Sequence, residues 1–119
     1  MTSEDLKKRT KKFAIEIIFL TRSFPKNDEG FTIKKQIIRS ATSIAANYRA
    51  VCCAKSPADF ISKMAIVEEE SDETLFWLEM AEEISLITKE QVVKLADEAN
   101  QLTAIFSASR KTARENNGR

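Results

Sequence analysis

The chain has 119 residues, of which 2 are glycine, 2 are proline and none is histidine. Its 19 basic and 18 acidic residues leave a net charge of +1. That length bounds one domain, the shortage of turn-forming residues points to long helices, and the lack of histidine excludes histidine-based triads, zinc sites and His-carboxylate di-iron sites.

The first helix is expected from about Glu4 to Arg22, with Thr2 or Ser3 as N-cap and Asp5 completing a capping box. Leu6, Thr10, Phe13, Ile17, Leu20 and Phe24 recur at three- and four-residue spacing and make one apolar stripe. Pro25 ends this helix, and PKNDEGF reads as the longest loop, with Gly30 as its joint. The second helix is expected from about Ile33 to Ala54, capped by Thr32. Its core stripe is Ile37, Ala41, Ile44, Ala45, Tyr48 and Cys52. A small and polar stripe of Gln36, Ser40, Ser43 and Asn47 runs beside it, suited to close approach and hydrogen bonds across a bundle.

Ser56-Pro57-Ala58-Asp59 is the strongest local signal: a serine cap, proline in the first turn and an aspartate closing a capping box. The third helix then reaches about Ile87, with Phe60, Met64, Val67, Ser71, Leu75, Leu78 and Ser85 on its core face. Thr88-Lys89-Glu90-Gln91 opens the fourth helix, continued by Val92, Leu95, Ala99, Leu102 and Phe106. Residues from about 110 to 119 read as a frayed polar tail. Short connections favour antiparallel neighbours. The expected fold is all-α, an antiparallel up-down-up-down four-helix bundle forming one domain over residues 1–119.

Two helices carry more apolar residues than one stripe needs. Ile15, Ile18 and Phe19 lie roughly opposite Phe13 and Ile17, and Ile66, Trp77, Met80 and Ile84, bordered by Phe76, form a second stripe on helix three. Contiguous apolar patches of this kind mark interfaces. These residues are the candidate homo-oligomer interface.

The near-neutral total hides a split. Residues 1–60 hold 12 basic and 6 acidic side chains, and residues 61–119 hold 7 and 12. Lys7, Lys8, Arg9, Lys11 and Lys12 cluster on helix one and are candidates for contacting the phosphates of RNA or DNA. Lys34, Lys35, Arg39 and Arg49 flank helix two. Counting back from the turn at Lys55 places Arg39 near Asp72 or Glu73, and Lys35 near Glu79, as structural ion pairs. The alternative for this flank is again a phosphate backbone.

No chemistry of an enzyme emerges. There is no Gly-rich phosphate loop, nucleophile elbow or Ser-Lys signature. Glu68 and Asp72 share a face, but the acids crowd onto one helix and no metal site is expected. No cofactor and no small-molecule substrate are implied. There is no run of 18 uncharged apolar residues and no signal-peptide core in the first dozen residues, so no membrane span is expected. Adjacent Cys52 and Cys53 make no disulfide framework, and a reducing, cytoplasmic location is the expectation.

The stretch from Phe24 to Glu79 carries Phe24-Pro25-Lys26, Ile33, Gln36, Arg39, Ala41, Ser43-Ile44 and Asn47, then an acidic third helix after its serine cap. This order resembles the bacterial four-helix bundle family first noted as proteins encoded by intervening sequences in 23S ribosomal RNA genes. Where that family often ends helix two with Asn-Ile-Ala-Glu-Gly, this chain has Asn47-Tyr48-Arg49-Ala50-Val51, which implies a longer helix two. The resemblance implies homopentameric rings of four-helix protomers. A related branch, the accessory protein of diversity-generating retroelements, partners a reverse transcriptase and binds nucleic acid. That branch is strongly basic, unlike this chain.

Overall fold

Four α-helices build the computed structural model, which describes residues 1–118. They are α1 (Ser3–Thr21), α2 (Asp28–Val51), α3 (Pro57–Glu83) and α4 (Lys89–Asn117). Each packs on its neighbour in sequence, and α1 closes the bundle against α4 through a much narrower seam. Among the described residues the backbones of the diagonal pairs, α1 with α3 and α2 with α4, stay apart, and only core side chains meet across the middle. The result is an antiparallel four-helix bundle of 51 × 22 × 20 Å.

The helix starts follow from local hydrogen bonding. Thr2 and Asp5 form a reciprocal capping box at 3.0 and 3.1 Å, and Thr88 and Gln91 form another at 2.8 and 3.2 Å. At α3 the Ser56 hydroxyl accepts from the Asp59 amide at 3.0 Å, but the Asp59 carboxylate reaches one residue further back and accepts from the Lys55 amide at 3.0 Å. It also accepts from Lys63 Nζ at 2.9 Å.

Four expected boundaries move. Helix α2 begins at Asp28, not near Ile33, because Asn27 and not Thr32 caps it, its side chain accepting from the Gly30 amide at 2.8 Å. Gly30 is therefore inside the first turn and is no loop joint; any Cβ there would collide with the Pro25 carbonyl oxygen. The same helix stops at Val51, so Cys52 is its exposed C-cap and not a core residue. The glycine missing after Asn47 does not lengthen it to Ala54, because Cys53 and Ala54 already bond back three residues in a tight turn.

Helix α3 stops at Glu83, short of Ile87. Ser85 adopts φ 63°, the Leu86 amide donates to the Ala81 carbonyl at 2.9 Å, and the Ser85 amide donates to the Glu82 carbonyl at 3.0 Å. This is a Schellman ending. Ser85 is consequently exposed, not on the core face. Helix α4 continues through Asn117, so residues 110–117 are ordered helix and not a frayed tail; Arg119 lies outside the described residues. Its last turns are held by the Arg110–Glu68 ion pair at 2.6 Å and by Ala113, half-buried beside Phe60.

The core runs the length of the bundle: Phe13, Ile17, Ile37, Ile44, Val67, Leu78, Leu102 and Phe106 are fully buried. Tyr48 packs its ring 5.8 Å from that of Phe106. Two hydroxyl pairs cross helix seams inside this core. Thr74 Oγ1 lies 2.8 Å from Ser40 Oγ, and Ser71 Oγ lies 2.7 Å from Thr103 Oγ1. Ser43 and Asn47, expected to bond across the bundle, bond each other within α2 at 2.8 Å.

Candidate functional site

The basic cluster of α1 is mostly neutralised. Arg9 makes a two-pronged pair with Glu98 of α4, both bonds 2.7 Å, and a third bond to Gln101 at 2.9 Å. The Glu98 hydrogen bonds push the Arg9 guanidinium above its ordinary value. Lys7 pairs with Glu4 at 3.0 Å, and Lys12 approaches Glu16 at 3.9 Å. Lys8 and Lys11 have no carboxylate within ion-pair distance among the described residues. The partner of Arg9 lies 89 positions away and could not be read from periodicity along one helix.

Lys8 and Lys11 border a groove of about 550 Å³ between α1 and α2. Lys7 and Arg49 complete its charged rim. Its floor is apolar or small: Ala14, Ile15, Ile18, Ala45 and Ala46, with Thr42.

Helix α3 is the acidic counterpart, with nine acidic residues against Lys63. Arg39 reaches across from α2 to Glu70 at 3.3 Å and also to Glu73. The expected Arg39–Glu73 neighbourhood is thus present. Lys35, Asp72 and Glu79 have no ion-pair partner among the described residues, so the expected Lys35–Glu79 pair does not form although Lys35 lies one turn before Arg39 on the same side of α2. Glu69 and Glu83 are likewise unpaired and exposed.

Among the candidate interface residues, Ile15, Phe19, Ile66, Phe76 and Ile84 are 40 to 56% exposed. Ile18, Trp77 and Met80 are half-buried by their own chain. Trp77 Nε1 donates to Glu73 at 3.1 Å, and Phe76 meets the Trp77 ring edge-on at 4.8 Å. Phe19 lies under the Arg22 guanidinium at 4.6 Å. Phe31 and Val93, each 56% exposed, complete the set. Phe31 escaped the sequence reading because it fell in the segment read as loop, and Val93 because its neighbour Val92 fitted the core period.

A second opening, about 750 Å³, lies at the bundle end where α2 stops and α3 begins. Ser3, Tyr48, Cys52, Phe60 and Asn116 are among its walls. Burial and the neighbouring Cys52 thiol push the Tyr48 phenol up to about 12. No three His, Cys, Asp or Glu side chains gather into a metal-holding group among the described residues. No described helix is long and apolar enough to cross a membrane.

Residues 3–108 match the family model described as 23S rRNA-intervening sequence protein. The chain belongs to that family. The match spans α1 to α3 and most of α4, so the basic-rimmed groove and the acidic α3 face both fall inside the family region. A similar solved structure is a protein with unknown function from the S23 ribosomal protein family of Bacteroides thetaiotaomicron VPI-5482. It is 33% identical, superposes with a TM-score of 0.85, and the alignment covers 93% of this chain and 99% of that one. No curated protein matches.

Proposed function

We propose that this family member is a non-enzymatic, self-associating helical bundle that works as a scaffold, with five copies as the number its family resemblance implies. The observation that carries the reading is the set of exposed large apolar side chains on α1 and α3, headed by Phe19, Ile66, Phe76 and Ile84. A bundle of this size has already filled its core with other residues, so about half of each of these apolar side chains is left uncovered by the fold of one copy. Two adjacent, exposed, free thiols at Cys52 and Cys53 suit a reducing compartment such as the cytoplasm.

The test is the mass in solution. Light scattering coupled to size exclusion should give a multiple of 13.5 kDa, near fivefold for a pentamer. A monomer at micromolar concentration sinks the proposal.

A second reading, RNA binding by the scaffold, is favoured by one observation: on a shared groove Lys8, Lys11 and Arg49 carry no carboxylate partner among the described residues. Affinity for a structured RNA should then fall steeply with salt, and Lys8→Ala with Lys11→Ala should flatten that dependence. No binding at low salt leaves a purely structural assembly.

A further inference from the structure

We infer that the groove between α1 and α2 is filled by the outer ridge of α3 from a second copy, in a head-to-tail contact. This rests on the self-association proposed above and names the two surfaces that meet.

The ridge is read from spacing and exposure. Ile66, Glu69, Phe76, Met80 and Glu83 follow one another at three-, four- and seven-residue intervals, on the outer side of α3 next to its seam with α2. Apolar and acidic residues are interspersed along it. Asp72 and Glu79 border it. The groove is the complement in both respects. Its floor of alanine and isoleucine can accept apolar knobs, and its rim of Lys7, Lys8, Lys11 and Arg49 can meet carboxylates. At 1.5 Å per residue the ridge from Ile66 to Glu83 runs roughly 25 Å and the α1 wall from Lys7 to Ile18 roughly 17 Å, so the groove covers about two thirds of the ridge.

Charge decides between the possible pairings. Groove against groove would oppose four cations with four cations. Ridge against ridge would oppose acid with acid. Only groove against ridge satisfies both surfaces, and that contact is heterologous. A nucleic acid would satisfy the rim but leave the isoleucine and alanine floor unused. The two surfaces lie on adjacent sides of the bundle, one between α1 and α2, the other beside the α2–α3 seam. They therefore do not face opposite ways. Head-to-tail repetition of such a contact gives a ring where the rotation closes and an open helical filament where it does not.

Charge reversal tests the pairing, with helicity and thermal unfolding confirming that each variant folds. Wild-type mass is measured first; a monomeric wild type overturns the proposed function itself. Given an assembled wild type, Lys8→Glu with Lys11→Glu should drop the mass to 13.5 kDa. Glu69→Lys with Glu83→Lys should do the same. All four changes in one chain restore complementarity between copies, and the assembly should return. Retention of the wild-type mass by either folded pair overturns the inference, as does a folded, monomeric fourfold variant. Loss of RNA binding in the lysine pair with an unchanged mass also overturns it, and assigns the groove to nucleic acid.

Discussion

Ser85 shows how a single residue sets an element boundary. Its φ of 63° is the left-handed region that glycine enters freely and serine enters at a cost. Ser85→Gly should therefore stabilise the bundle by about 0.5–1 kcal/mol, seen as a raised midpoint in thermal or urea unfolding. An unchanged or lower midpoint would show that the serine hydroxyl makes a compensating interaction. Tyr48 is the second informative residue. Its phenol is raised to about 12 in the folded protein by burial and Cys52. The unfolded chain ionises near the ordinary value of about 10, so stability is intact below about pH 10 and falls as pH rises toward 12. Tyr48→Phe should remove that alkaline loss from a melting-temperature profile, whereas a wild-type slope in the variant would assign the loss elsewhere.

At the scale of the helices, caps were the most legible feature. Thr2, Ser56 and Thr88 each carry a side-chain oxygen and an acid or amide three residues on, a purely local code. Asn27 follows half of that code, since its third successor is Gly30, which offers only an amide, so the sequence pattern places the start of α2 later than it is. The Asp59 cap has a measurable acid signature. The Lys55 amide and then Lys63 hold its carboxyl below the ordinary aspartate value. A depressed folded value means the stabilisation is present above the unfolded pKa of about 3.9 and is lost as pH falls through the folded one. Between about pH 5 and pH 2 the wild type should therefore lose more melting temperature than Asp59→Asn, which starts lower. Parallel profiles would remove Asp59 from the account.

For the whole molecule, periodicity was enough to give four helices and their antiparallel order, because each apolar stripe reports its own core face. What periodicity cannot report is which side chains meet across a seam. Arg9 with Glu98, Arg110 with Glu68 and Ser71 with Thr103 all join separate helices, and each depends on their relative rotation and shift. This is why a five-residue basic cluster in the sequence became, in three dimensions, two free lysines on the edge of a groove.

The narrow seam between α1 and α4 has a kinetic meaning. Helices α2, α3 and α4 are fastened to one another along their lengths, while α1 leans on α2 and touches α4 at few places. The first helix is therefore the part of the bundle that can swing open without unravelling the rest. In native-state hydrogen exchange its amides should become labelled sooner than those in the middle of α2 and α3, with Arg9→Ala hastening them further. Uniform protection across all four helices would mean that the molecule opens only as a unit.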